Sequence, residues 1–546
     1  MERAVEFGRS DAHRAAAGEV GEGDLGGGVG HRRHRTPGRR YDDEHGQQPP
    51  EETRVTTAAR TDYEAVIGVE VHIQLKTKSK MFCGCNREYF DTEPNSHVCP
   101  VCLGMPGMLP VINEQAVSYT LLAGLAMGCE IPRHSKFDRK NYPYPDLMKG
   151  YQISQYDQPF CVGGSLTIEV DGVQQVVHLE RIHLEEDTAR LLHRDDGAET
   201  YSLLDVNRSG SPLMELVTKP DMHSGVEAAT FLRKLRQTMR YLGIADADME
   251  KGGMRADANV SIRPRGQEAL GRKVEVKNMN SFRAVQRAIE FEIERQSRLL
   301  DAGERIKQET RGYVDATGET VSQRSKEEAN DYRYFPEPDL PPMIVEPATV
   351  EILRARLPEL PDARRERFVR EYGLSPDEAR TLTESREAAD TYEEAVRLAG
   401  TPLARPVALW FIGEVARHLN TLGHADAELA DTKVGPAHIA ELTKLVAEGA
   451  VTGSTAKDIL DAAFESGEMP AAIVDARGLR VVRDEGAVEA VVRAAIEANP
   501  KAVADYRAGK QAAVGFLVGQ VMREMKGRAD ASGVAEIVHR LLDVTA

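Results

Sequence analysis

Aromatic residues make up only 5% of the sequence, with a single tryptophan, and no apolar run approaches the roughly 20 residues that a membrane-spanning helix requires. The N-terminus lacks a signal-peptide core, so a cytoplasmic location without membrane contact is expected. Positive charge is also in deficit: 70 Lys and Arg against 87 Asp and Glu leave a net charge of -17. Because phosphate binding needs clustered bases, this balance excludes a general nucleic-acid coat and confines any such contact to a local patch. Neither a GxxxxGK[ST] phosphate loop nor a GxSxG nucleophile elbow occurs.

The chain has 546 residues, 41% hydrophobic and 29% charged, the composition of a globular protein of three or four domains. Residues 1–60 are rich in Gly, Arg and His, and a stretch such as GEGDLGGGVGHRRHRTPGRR cannot bury enough surface to offset its ordering entropy. Disorder is expected there, and Val55 is the expected native start, read from a GTG codon.

In VIGVEVHIQL, Ile67, Val69, Val71, Ile73 and Leu75 share one face of a strand, and Gly68, Glu70, His72 and Gln74 share the other. In RADANVSIRP, Ala256, Ala258, Val260 and Ile262 alternate with Asp257, Asn259, Ser261 and Arg263. In RKVEVKNMN, Val274 and Val276 alternate with Glu275 and Lys277, and HLERIHLEED carries His183, Glu185, Glu186 and Asp187. Several strands thus carry acids opposite an apolar side. The pattern fits a solvated sheet or a bowl whose floor binds a metal and a polyanion. A magnesium ion wants oxygen ligands, which Glu70, Glu186 and Asp257 could supply, while His72 could ligate or orient a carboxylate.

Ser224 with Glu227 predicts a capping box before Phe231, Leu232, Leu235, Met239 and Leu242, with Gly243 as the stop. Ser281 precedes FRAVQRAIEFEIERQSRLL, which stops near Gly303. Both helices are expected on the apolar back of the sheet. FPEPDLPP (335–342) and PELPD (358–362) form a proline-rich boundary, and beyond it the pattern is helical, with Ser375, Pro376 and Glu378 as another helix start. The expected class is α+β, with the chain divided into a 1–60 extension, a 61–350 antiparallel-sheet cradle, a 351–400 helical connection and a 401–546 helical tail. The tail has a local excess of bases in Arg507, Lys510, Arg523, Lys526 and Arg528; charge alone assigns these to a solvated helix face.

Phe137–Asp157, FDRKNYPYPDLMKGYQISQYD, packs bases, tyrosines and acids together without helical or strand periodicity. Pro143, Pro145 and Gly150 place Lys140 and Lys149 on loops at either end of one surface, where lysines suit phosphate or carboxylate. Cys83 and Cys85 form a CxC pair and Cys99 and Cys102 a CxxC pair. Two chelating pairs at this distance suit a tetrahedral zinc, and a closed four-thiolate shell is structural rather than catalytic. Cys129 and Cys161 are expected in the core.

Seven stretches in order, VIGVEVHIQLKTKSKMFCGC, HVCPVCLGMPGMLPVIN, SKFDRKNYPYPDLMKGYQISQYD, RIHLEEDTARLLH, LDVNRSGSPLMELVTKPD, KNMNSF and SKEEANDYRYFPEPDLPP, resemble the GatB family, the B subunits of bacterial tRNA-dependent amidotransferases. The resemblance runs from about Tyr63 to the C-terminus. It implies a glutamine-synthetase-like cradle followed by helical domains of the GatB/YqeY type. The implied activity is that of a ligase forming a carbon–nitrogen bond with glutamine as amido donor. ATP and magnesium would serve to phosphorylate the side-chain carboxylate of Glu-tRNA(Gln) or Asp-tRNA(Asn). Ammonia from an amidase subunit (GatA), in a heterotrimer with a small subunit (GatC), would then displace the phosphate.

By matching motifs the resemblance gathers Glu70, His72, Glu186 and Asp257 around the metal, with Glu185 and Glu250 as weaker candidates. It suggests Glu186 as a gate on the ammonia path, and Lys140 and Lys149 as residues facing phosphate or lining that path. Asn207, Arg208 and Glu215 lie in a signature stretch without assigned individual roles. The cysteines match family members that carry zinc, and the tail matches a tRNA-contacting module.

Overall fold

The computed structural model describes residues 62–195, 197, 199–325, 331–423, 427–482, 484–525 and 528–544. The N-terminal extension and the expected start at Val55 lie outside the described residues. The strands are β1 (Tyr63–Gln74), β2 (His134–Ser135), β3 (Asp138–Asn141), β4 (Tyr151–Ser154), β5 (Cys161–Val162), β6 (Ser165–Val170), β7 (Val173–Glu186) and β8 (Arg190–Asp195). They continue as β9 (Thr200–Asp205), β10 (Pro212–Thr218), β11 (Met254–Pro264), β12 (Val274–Met279), β13 (Glu309–Val314), β14 (Glu319–Ser325), β15 (Phe335–Pro336) and β16 (Met343–Ile344).

The alternation in β1 is realised in the main sheet. Ile67, Val71 and Ile73 are fully buried, while Glu70 and His72 on the other face are half-buried. The sheet has nine strands in the order β14-β13-β12-β11-β1-β10-β7-β5, with β6 paired on β7. Of the acid-bearing strands read from the sequence, β12, β11 and β1 are therefore neighbours, and β7 lies one strand further on, across β10. The sheet is mixed rather than wholly antiparallel, because β12 and β13 run parallel. Their connection contains a 20-residue helix, the kind of crossover a parallel pair requires.

That helix is α3 (Phe282–Asp301); before it come α1 (Glu114–Ala126) and α2 (Gly225–Tyr241). Ser224 caps α2 by accepting from the Glu227 amide, and Ser281 caps α3 by accepting from the Ala284 amide. Phe231, Leu232, Leu235 and Met239 of α2 join Val285 and Ile289 of α3 in the core behind the sheet. Each such fully buried side chain contributes about 1.5–3 kcal/mol of transfer free energy. At Gly225 the two helices touch so closely that a Cβ would stand 2.4 Å from the Gln286 carbonyl oxygen.

Beyond the sheet the chain is helical, beginning with α4 (Pro347–Ala355), α5 (Pro361–Tyr372), α6 (Pro376–Leu382) and α7 (Arg386–Ala399). The capping box of Ser375 and Glu378 is present at the start of α6. Two further apolar cores follow, one running from Phe368 to Val474 and one from Val488 to Leu542. Tyr392 of α7 packs edge-on against Phe411, so no division falls at residue 400; packing divides the helical region near residue 480.

The first helical body is joined to the cradle through α2. The Tyr241 hydroxyl donates to Thr383 O at 2.8 Å, Gln237 Nε2 donates to the same oxygen at 2.9 Å, and Lys234 pairs with Asp362. Among the described residues, no helix is long and apolar enough to cross a membrane.

Candidate active site

The polar face of the sheet is assembled by register. Glu215 of β10 stands opposite His72 of β1 on one side and His183 of β7 on the other. Its Oε2 lies 3.3 Å from His72 Nε2 and 3.2 Å from His183 Nε2. Glu185, two residues after His183 and on the same face, approaches both rings at 3.8 Å. Burial alone would push His183 down, but Glu215 and Glu185 outweigh it and hold it up at about 9. His72 is likewise raised against burial by the same two carboxylates. Glu215 is in turn held well below the usual carboxylate range: burial opposes this, but His183 and His72 prevail.

Ligand atoms of His72, Glu185 and Glu215 all lie within 4.8 Å of one another. Two buried carboxylates and an imidazole form a donor set compatible with a divalent cation.

The quartet expected from the sequence is not brought together in this form. Successive residues of a strand point to opposite faces, so Glu185 joins the histidines while Glu186 turns to the other side. There its carboxylate receives the Ile153 amide at 2.9 Å and lies 2.7 Å from Lys149 Nζ. Glu70 and Asp257 do face each other across β1 and β11. Each already has a partner: Asn259 Nδ2 donates to Glu70 at 3.0 Å, and Lys277 pairs with Asp257. His183 receives no role from the sequence; the signal is its position two residues before Glu185 on a strand.

Lys140 lies in β3 rather than on a loop, a strand too short to show periodicity and set by its pairing with β4. Its Nζ sits 5.2 Å from the ring centre of Tyr332, and Tyr142 and Tyr334 complete an aromatic surround. Burial opposes its charge, but Glu185, Tyr334 and Glu215 more than compensate and raise it. Lys149 stays in the turn before β4 and pairs with Glu186, whereas Lys140 lies near Glu185 and Glu215, so the two lysines face different carboxylates.

Asn207, Arg208 and Glu250 lie apart from the groups that meet at Glu215. Asn207 is fully buried and clamps the cysteine loop, its Oδ1 accepting the His97 amide at 2.8 Å and its Nδ2 donating to Glu93 O at 2.8 Å. Arg208 donates to Thr188 O and Ala189 O and lies 3.7 Å from Asp187. Glu250 is exposed on the turn before β11. Asp187 is a buried junction, receiving Gln74 Nε2 at 2.8 Å and Arg255 at 2.9 Å. Burial opposes its ionisation, but Arg208 and Arg255 hold it at about 2.

Cys83, Cys85, Cys99 and Cys102 converge, with ligand atoms within 4.8 Å of one another. Cys99 and Cys102 sulfurs are 3.8 Å apart, which is about the edge of a tetrahedron with Zn–S bonds of ~2.3 Å. The Cys99 amide donates to the Cys102 sulfur at 3.1 Å. The donor set is therefore compatible with zinc. Cys129 and Cys161 are buried in the main core. A cavity of about 210 Å³ is lined by Cys83 and Cys102 on one wall and by Lys149 and Glu186 on another.

In the tail, Arg507 and Arg523 are exposed, and Lys510 pairs with Asp505 at 2.9 Å. Arg528 is half-buried and donates to Gly478 O at 3.2 Å, and Lys526 lies outside the described residues.

Comparison with known proteins converges on one family. The profile of the GatB/GatE catalytic domain matches residues 65–351, and that of the GatB domain matches residues 390–542. Three relatives are named as the B subunit of an aspartyl/glutamyl-tRNA(Asn/Gln) amidotransferase. The one from Dehalococcoides mccartyi is 52% identical over 490 residues, covering 88% of this chain and 99% of the relative. The one from Carboxydothermus hydrogenoformans is 51% identical over 87% of this chain and 98% of its own length. For Thermotoga maritima the figures are 47%, 88% and 99%.

Proposed function

The chain belongs to the GatB family of tRNA-dependent amidotransferase B subunits, and on that premise we propose that the histidine–carboxylate face activates an aminoacyl side chain for amidation. The substrate is Glu-tRNA(Gln) or Asp-tRNA(Asn). A side-chain carboxylate oxygen displaces ADP from the γ-phosphorus of ATP, which converts a poor acyl donor into an acyl phosphate. Ammonia then adds to the acyl carbon, phosphate leaves, and the nitrogen gives up a proton. The chemistry asks mainly for positioning and for neutralisation of phosphate charge.

Glu185, Glu215 and His72 would hold a magnesium ion, which supplies that neutralisation when bound. His183 orients Glu215 from the strand behind. Lys140, raised within its tyrosine surround, supplies a fixed positive charge on the same side as the carboxylates. Glu70 and Asp257 extend the floor toward Lys277. The cysteine shell holds a structural zinc. Lys149 and Glu186, on the opposite side, line the route by which ammonia arrives.

With no serine-nucleophile elbow in the chain, glutamine hydrolysis falls to a separate amidase subunit, GatA, with GatC as the small third member of a cytoplasmic heterotrimer. Exposed bases of the tail contact the tRNA body. The observation that carries the reading is Glu215 bonded between two histidines, with Glu185 and Lys140 beside it.

The test is conversion of Glu-tRNA(Gln) to Gln-tRNA(Gln) by the assembled subunits with glutamine, magnesium and ATP. ATP-dependent conversion that disappears in His72→Ala and Glu185→Gln supports the assignment. Conversion that survives both leaves this chain as a tRNA holder, with the chemistry elsewhere.

A further inference from the structure

The cysteine loop touches Lys149 directly and reaches the strand end that carries Glu186 through Ser209 and Gly210. The turn that ends the CxxC pair is closed by Leu103 N to Cys99 O at 3.0 Å, Gly104 N to Val101 O at 3.0 Å and Met105 N to Pro100 O at 2.9 Å. Gly104, two residues from Cys102, has φ +65 and lies flat against the lysine. A Cβ there would stand 2.6 Å from Lys149 Cγ, 3.0 Å from Met148 O and 3.1 Å from Lys149 Cα. Position 104 therefore requires glycine twice over, for its left-handed backbone and for the contact.

On the other side, Ser209 Oγ donates to Cys102 O at 3.4 Å, and a Cβ on Gly210 would meet Cys102 Cβ at 3.7 Å. The Gly210 amide donates to Asp187 O at 2.9 Å, one residue past Glu186. The thiolate turn is thus braced between the stem of Lys149 and the strand end that carries Glu186. The Lys149 ammonium then meets Glu186 at 2.7 Å in the wall of the shared cavity.

We propose that the four-cysteine loop is a positioning device for Lys149, with Gly104 as the contact through which metal-dependent order in the loop fixes the Lys149–Glu186 pair across the cavity. Gly104 and the cysteines act through Lys149 and touch no reacting atom. The proposal rests on the reading of that cavity as the ammonia route, and it deepens that reading by linking the route to the metal site.

Two measurements on the intact heterotrimer test it. The first is acylation of Lys149 by acetic anhydride, followed by mass spectrometry against the exposed Lys219 as internal standard. The second is amidation driven by glutamine compared with amidation driven by ammonium chloride. Each is made on wild type, on Gly104→Ala with its zinc content verified, and on wild type stripped of zinc.

The expected result is a Lys149 reactivity raised at least threefold in both altered proteins. The glutamine-driven rate is expected to fall at least fivefold further than the ammonium-driven rate. Unchanged Lys149 reactivity in both overturns the positioning role. Raised reactivity with the two rates falling together keeps the positioning and removes the ammonia-route reading.

Discussion

Glu215 faces His72 directly across the β1–β10 ladder, with Oε2 3.3 Å from Nε2. The same oxygen lies 3.2 Å from His183 on the strand beyond, so one carboxylate ties three strands together at the floor of the bowl. Register places the three groups together, and charge favours the pairing, because both imidazoles are raised by the carboxylates beside them. Glu215→Gln keeps the shape and removes the charge. ATP-dependent amidation is expected to fall about 100-fold, as when a ligand or its orienting partner is removed at a metal site. Circular dichroism and heterotrimer assembly should stay as in wild type. Steady-state kinetics with ammonium as donor check this, and a loss under tenfold would remove Glu215 from the site.

The apolar alternation of β1 and β11 is legible in the sequence because period-two patterning is local, and the cysteine pairs because chelate spacing is local too. What sequence does not carry is register. Whether Glu185 or Glu186 joins His72 depends on which residue of β7 meets Pro212, a pairing between distant segments. One residue of strand parity sends Glu186 to Lys149 instead. Glu215 shows no individual role in the sequence for the same reason, its two histidine partners lying on strands far from it in the chain. The parallel β12–β13 pair escapes because α3 reads as a helix wherever it leads. Arg528 reads as one more base of the tail, and only the structure shows it engaged by the Gly478 carbonyl.

Asp187 links acidity to stability. Its carboxyl lies at about 2 in the folded chain against an ordinary 3.8, so its contribution is fully present above about pH 4 and is lost as pH falls toward 2. The shift corresponds to about 2 kcal/mol. Asp187→Asn leaves the Arg255 partner uncompensated, so the variant should melt well below wild type at pH 6. The gap should narrow steadily as pH is lowered from 4.5 to 3. Thermal melts across that range provide the check, and a gap independent of pH would show that Asp187 acts through packing alone.

Metal removal should loosen a defined segment. The shell is local, and Asn207 clamps the same loop from outside through His97 and Glu93, so the rest of the sheet has its own support. Chelation, or replacement of all four cysteines by serine, should raise amide hydrogen exchange at least tenfold between residues 83 and 105. The β1–β11 ladder should exchange as before, and binding of ATP should change less than twofold. Unchanged exchange and melting after removal of all four thiols would mean that the loop holds itself without metal.

The tail is the part that can be cut cleanly. Its helices pack around Val488, Leu517, Val521 and Val538, separately from the core that Tyr392 shares with Phe411. The junction includes the backbone bonds from Val481 N to Ala450 O and from Val482 N to Arg528 O, both 2.8 Å. Ending the chain after Leu479, one residue past Gly478, the left-handed cap of the 470–477 helix, removes the third core and leaves the second whole, whereas a cut near residue 400 would open it. The shortened subunit, assembled with its partners, should bind tRNA at least tenfold more weakly and ATP within twofold of wild type. The salt dependence of tRNA binding should also flatten, since each lost phosphate contact lowers the logarithmic slope by about 0.9. Equal weakening of both ligands would place the tail's role in supporting the cradle. Weaker tRNA binding with an unaltered salt slope would mean that shape, not the exposed Arg507 and Arg523, makes the contact.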